Sequence, residues 1–236
     1  MCALFGKSKI SKLSVVVASA LLLPAVAQAN SFVYQFNNVF SGSTPAGSTP
    51  WITAAFNDVV GSPGTVELKI SAAGLTGSEF LGGLLLNLDP ADNPGKLAFT
   101  YVSSSGGFSL PSISSGANKF KANVDGKFDI SFSFSQKSTK TFTSGEWVVY
   151  DITSTSPSFT LNALDFNYLS QVACGPGSLL AAANIGNVPG KCGTGTSWVD
   201  PYQLTPVPEP TTLTFMGLFG LGGLGLAAFR RKNRQA

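Results

Sequence analysis

The sequence predicts an all-β fold: a single antiparallel β-sandwich, with a jelly roll as one form it can take, flanked at each end by an apolar segment. Three observations carry this. The dominant hydrophobic period between residues 30 and 205 is two, the period of a half-buried strand. Turn-forming residues divide that region into eight or so short runs. Phenylalanine is abundant, at 18 residues, and fills the space between two packed sheets.

The elements follow in order. Ser31 to Phe40 and Trp51 to Asp58 read as strands, separated by the Ser/Thr/Gly/Pro loop Ser41 to Pro50. Val66, Leu68 and Ile70 alternate with Glu67, Lys69 and Ser71. Phe80 to Leu88 is apolar. Leu97, Phe99 and Tyr101 alternate with Ala98, Thr100 and Val102. The clearest alternation sets Phe128, Ile130, Phe132 and Phe134 against Lys127, Asp129, Ser131, Ser133 and Ser135. Val124 followed by Asp125-Gly126 and this strand reads as a hairpin. Trp147 to Thr153 and Ser158 to Leu164 complete the set. Turns fall at Ser62-Pro63-Gly64, Asn93-Pro94-Gly95, Ser105-Gly106-Gly107 and Ser156-Pro157.

The two ends have a different character. Lys7, Lys9 and Lys12 precede an apolar stretch, Leu13 to Val26, and Ala27-Gln28-Ala29 is an A-x-A cleavage site. Residues 1–29 are therefore expected to be a signal peptide, with Asn30 first in the mature chain. Cys2 precedes the apolar stretch and so is no lipid-attachment cysteine. At the other end stand Pro208, Glu209 and Pro210, in a Pro-rich linker over 206–210. An uncharged run over 211–229 follows, then Arg230, Arg231, Lys232 and Arg234 within the basic tail 230–236. As a helix the 19-residue run would reach roughly 28 Å at about 1.5 Å per residue, close to the ~30 Å of a hydrocarbon core. Its glycines suit a bilayer better than water. The basic cluster is expected to stay cytoplasmic, leaving residues 30–205 outside. A buried core helix is the alternative, but four cations in five positions argue against it.

This rigid motif, apolar span and basic stop resemble the PEP-CTERM sorting signal of Gram-negative bacteria. The resemblance covers the tail alone. It implies an exosortase-type processing enzyme as partner. It also implies passage through the inner membrane as a precursor, then residence at the cell surface or in the extracellular matrix.

The central domain carries the rest of the reading. Between residues 30 and 207 there are 8 Lys/Arg against 11 Asp/Glu, a net −3, so the formal +3 of the whole chain resides in its ends. The domain offers no basic patch for nucleic acid. Cys174 and Cys192 are an even pair in an exported chain, and a disulfide between them would stabilise by about 3 kcal/mol. Two free thiols are the alternative. The chain has no histidine, which removes the Ser-His-Asp and Cys-His arrangements and the usual zinc sites. Glu67, Glu79, Glu146, Asp151 and Asp165 are the carboxylates available to a glycosidase-like pair, yet their spacing marks none. Asn87, Asp89, Asp92 and Asn93 place hard oxygen ligands in one tight loop and are candidates for calcium, although turn formation explains them more simply. Trp51, Trp147 and Trp198 are the candidates for stacking on a sugar. No cofactor is expected.

Parts of the domain also resemble uncharacterised exported proteins with the same tail: WITAAFND (51–58), Val66 to Ile70, LNLDP (86–90) and AAANIGNVPGKCGTGTSWV (181–199). In that pattern a histidine follows the alanines, where this chain has Asn184. The likeness implies no known activity, and Asn184 removes a metal ligand. The expected function is thus a noncatalytic exported surface or extracellular-matrix protein, associated with exopolysaccharide or biofilm. The alternative is a carbohydrate-binding module of the cell envelope.

Overall fold

The computed structural model describes residues 29–206, except 124, 173–176 and 191–192, and of residues 202–206 it describes the backbone alone. The strands are β1 Ser31–Gly42, β2 Ile52–Asp58, β3 Thr65–Ser71, β4 Phe80–Leu86, β5 Leu97–Ser105, β6 Ser112–Ala122, β7 Asp125–Ser133, β8 Phe142–Thr143, β9 Trp147–Ser154, β10 Ala181–Gly190 and β11 Gly193–Pro206. They form one eleven-stranded sheet in the order β5-β9-β3-β2-β1-β11-β10-β4-β7-β6, with β8 paired to β4. The ladders are antiparallel.

Two separate sheets were the expectation; the chain instead makes one sheet that curls on itself. The ring of Phe99 on β5 stands at 87° to that of Phe132 on β7, with centroids 5.6 Å apart. Tyr150 on β9 lies 5.7 Å from the same Phe132 ring. Strands from opposite ends of the pairing path therefore face each other across the core. Alternation decides which residues go there. Phe32, Tyr34 and Phe36 of β1, Ile52 and Phe56 of β2, and Val66, Leu68 and Ile70 of β3 are all buried. So are Val148, Tyr150 and Ile152 of β9 and Ile130 and Phe132 of β7. Burying such side chains contributes roughly 1.5–3 kcal/mol each before the entropy of ordering them.

A second, smaller cluster sits on the outside of the curl. Leu85, Ala122, Phe128 and Ala182 are buried in it, and Phe40, Phe120 and Trp198 pack against it half-buried. The β6–β7 hairpin reaches across to make this cluster, and the Asn123 side chain donates to Ser41 Oγ at 3.1 Å. Strand β4 thus has both faces covered, which is why Phe80–Leu86 reads as a continuous apolar run instead of an alternating one.

Three readings need correction or completion. Residues 158–164 are not a strand: they lead into a 3-10 turn, Ala163–Phe166, closed by a capping box between Asn162 and Asp165. The Asp125-Gly126 hairpin exists, but Asp125 already pairs with Ala122, so the dipeptide opens β7 and does not form the turn itself. β6, β8, β10 and β11 were not foreseen. Among the described residues no helix is long and apolar enough to cross a membrane; residues 1–28 and 207–236, which hold the expected signal peptide, sorting motif and span, lie outside them, as do Cys174 and Cys192.

Candidate functional site

Aspartates converge on one end of the curled sheet. Asp58 closes β2, Asp89 and Asp92 lie in the loop after β4, and Asp165 sits in the 3-10 turn after β9. Backbone bonds knit the loops together: Asp89 N donates to Asp165 O at 2.7 Å, and Ala163 N donates to Asp58 Oδ1 at 2.6 Å. Tyr34 anchors the 3-10 turn from below, its hydroxyl donating to Phe166 O at 2.8 Å. Burial raises that phenol's pKa well above its ordinary value. The acidic groups perturb one another. Burial, then the negative charges of Asp165 and Asp89, hold the Asp92 carboxyl above the usual range. Burial also raises Asp165, against the lowering effect of its bonds from Asn162 and with further raising by Asp89 and Asp58. The neighbouring Asp89 carboxylate, then burial and the charges of Asp165 and Asp92, raise the Tyr168 phenol above its ordinary value.

The loop after β4 contains all four calcium candidates, and the side chains of Asn87, Asp89 and Asn93 have structural tasks. Asn87 is 1% exposed. Its Nδ2 donates to the carbonyls of Tyr168, Leu179 and Leu180 at 3.0, 3.0 and 2.8 Å, tying the loop to the segment before β10. Its Oδ1 has no protein partner. Asp89 Oδ1 accepts from Ala91 N and Asn93 Oδ1 from Gly95 N, both turn-closing bonds. Among the described residues no three acidic, histidine or cysteine side chains lie close enough together to hold a metal. A pocket of about 170 Å³ with a mixed polar and apolar lining does open here, lined by residues that include Asn87, Asp92, Lys127, Asp129, Leu169 and Gln171. Asp129 forms one wall by holding Leu88 N at 3.1 Å and Asn118 N at 2.7 Å. Sequence reasoning missed Asp58, Asp129 and Tyr168; the one legible signal was Asn162-x-x-Asp165, the spacing of a capping box.

The tryptophans do not share a face. Trp51 is 3% exposed and its Nε1 donates to Gly47 O at 2.9 Å, so it is a core residue and no stacking platform. Trp198 is half-buried beside Phe40, with ring centroids 6.4 Å apart. Trp147 is half-buried with Lys69 Nζ 5.0 Å over its ring. Trp147 and Trp198 lie on β9 and β11, four steps apart along the sheet, or roughly 19 Å at about 4.8 Å per step. Asn184 lies on β10 with its Nδ2 3.4 Å from Ser197 O. Of the carboxylates, Glu79 and Glu146 are bound to backbone N–H groups and Glu67 and Asp151 stand side by side. Glu79 is buried, accepting from Ala46 N and Thr76 N at 2.6 and 3.1 Å. Glu146 accepts from Gly107 N and Thr143 N at 3.0 and 2.7 Å. Glu67 and Asp151 are cross-strand neighbours.

The C-terminal strand leads straight into the tail. β11 pairs with β1 as far as Phe32 opposite Pro206, two residues before Pro208. Residues 206–232 match the PEP-CTERM protein-sorting motif. The chain carries a PEP-CTERM sorting signal. Such a signal marks a substrate for exosortase processing and an exported, envelope-associated protein. The PEP-CTERM motif covers the tail only, and no curated protein matches the chain in sequence. Among solved structures, biomass-sensing modules of RsgI-like proteins from Clostridium thermocellum, described as resembling the family 3 carbohydrate-binding module of the cellulosome, align at 13% identity and a TM-score of 0.30. The alignment covers 65% of this chain and 91% of that one. So slight a likeness fixes neither fold nor ligand.

Proposed function

We propose that this protein is a noncatalytic building block of the cell surface or extracellular matrix, delivered by its PEP-CTERM tail. The observation that carries the reading is the junction: a folded all-β domain whose last strand ends at Pro206, where the sorting motif begins. We read the curled sheet as a β-sandwich scaffold whose facing halves are its two layers. The commitment of Glu79 and Glu146 to backbone N–H groups supports a role without catalysis; Glu67 and Asp151 face each other across the β3–β9 ladder and are the pair that an assay for glycoside hydrolysis, which needs two carboxyls facing one bond, should target. Residues 211–229 would hold the precursor in the inner membrane, and polysaccharide would surround the released domain. Deleting Pro208–Pro210 is expected to leave a membrane-held precursor, because the span still inserts while the processing enzyme loses its recognition element. Fractionation followed by immunoblotting reads the outcome; unchanged processing and release would overturn the sorting role.

A second reading, carbohydrate binding, has one observation in its favour. The pocket lies beside Tyr168, 37% exposed, and Leu169, 61% exposed, a mixture of hydrogen-bonding groups and apolar faces that suits a sugar. A glycan array on the released protein, with and without calcium, separates the two readings.

A further inference from the structure

We propose that cleavage after Ala29 creates an α-ammonium at Asn30 whose binding site is the carboxylate of Asp58. The inference rests on the reading of the chain as exported and cleaved at that bond. Asn30 N donates to Asp58 Oδ2 at 2.8 Å, and the Asn30 side chain donates to the same oxygen at 3.0 Å. Asp58 N in turn donates to Asn30 O at 2.9 Å. The residue is therefore held by three bonds to one partner, and the nitrogen in question already points at a carboxylate.

Hydrolysis changes the chemistry of that nitrogen without moving it. The Ala29–Asn30 amide bond breaks, the oxygen of water goes to the Ala29 carboxyl, and the Asn30 nitrogen takes up protons to become an ammonium. A neutral N–H···O bond becomes a charge-assisted one, shorter and stronger. The surroundings favour the cation. Asp165 lies within electrostatic reach of Asp58 and Asp89, and Asp165 and Asp89 act in turn on Asp92. An ammonium here relieves like-charge repulsion at the acidic end of the sheet. Through Asp58 Oδ1 and Ala163 N it also braces the 3-10 turn, and through Asp165 O and Asp89 N the loop lining the pocket. Signal-peptide removal thereby strengthens the fold at the end where the pocket lies.

The test uses protein collected after export. Intact mass first fixes the N-terminal residue. Acylation of the α-amine is then followed by mass spectrometry across pH 6–10, in native protein and in denaturant. The native amine, facing Asp58 and Asp165, is expected to titrate above the ordinary α-amino range of about 7.7–8.0 and to react several-fold more slowly near pH 8 than the denatured chain. Asp58→Asn, which keeps an acceptor for Ala163 N, should bring the amine back into the ordinary range. The comparison of native with denatured wild type stands whether or not that variant folds. A chain that begins at another residue overturns the cleavage reading and the pairing together. A chain that begins at Asn30 but titrates alike folded and unfolded overturns the pairing alone.

Discussion

Asn87 shows how one amide can organise a loop. It contributes two N–H donors to three backbone carbonyls from a segment more than 80 residues away in sequence. Removing such a donor takes a partner from the Tyr168 and Leu180 carbonyls, while Leu179 O keeps its bond from Ser170 N at 2.8 Å, and an acceptor left unpaired costs more than the bond itself was worth. The isosteric Asn87→Asp substitution goes further, because it turns a carboxylate toward carbonyl oxygens. We expect it to lower stability by about 3 kcal/mol at neutral pH, a fall of roughly 6–12 °C in Tm for a domain of this size. The sign with pH follows from burial: the introduced carboxyl is held above the ordinary carboxylate range when folded. Part of the loss should therefore be recovered below about pH 4, where it is protonated in both states, and should develop fully as pH rises through the raised value. A melt that is equally depressed at pH 3 and pH 7 would show that shape, not charge, is at fault.

Strands differ in how openly their sequence announces them, and β4 with β10 shows why. Gly186 on β10 lies opposite Phe80 on β4, and a Cβ at Gly186 would come within 2.3 Å of the Phe80 ring. Gly186→Ala is expected to cost about 1–3 kcal/mol by overpacking. Adding Phe80→Ala should remove much of that penalty, so the double variant melts higher than the two single effects predict. Strict additivity would mean the ring is free to swing away. The same packing hides β10 from the sequence: Ala181, Ala182, Ala183 and Gly186 are small because large neighbours occupy the space above them, and small residues carry no alternation. β11 is disguised by Pro201, tolerated because the ladder to β1 shifts register on both sides of its partner Phe36. β6 is a serine-rich edge strand interrupted near Asn118, whose φ is +54°. Strands β1, β2, β3, β7 and β9 bury alternate residues in the core, and their alternation or aromatic content was legible; β5 was legible as a strand, but only Leu97 and Phe99 pack against the core and Tyr101, expected on the same face, is exposed. Of the acidic end, Asp89, Asp92 and Asp165 were visible as residues. Their meeting with Asp58 depends on loops brought together by the curl, and no local spacing encodes that.

At the scale of the molecule, the first and last strands form the seam on which everything else hangs. β1 and β11 are neighbours at the middle of the pairing order, with β2, β3, β9 and β5 beyond one and β10, β4, β7 and β6 beyond the other. Their contacts join residues more than 150 positions apart, so closing the seam carries a loop-entropy cost and comes late in folding. A chain without β11 keeps both halves of the sheet but leaves the strand edges of β1 and β10 unpaired and the core open between them. We expect a chain ending at Gly190 to lose its cooperative thermal transition and to be cut rapidly by protease. A chain ending at Val207 has the whole of β11 and should melt within about 2 °C of the full-length protein, a difference below about 1 kcal/mol. The contrast matters for delivery, because a sorting tail that begins where the last strand ends can be processed without loosening the domain it delivers. A cooperative melt from the shorter chain would show that β10 can take the place of β11 beside β1, and that the seam is not what holds the two halves together.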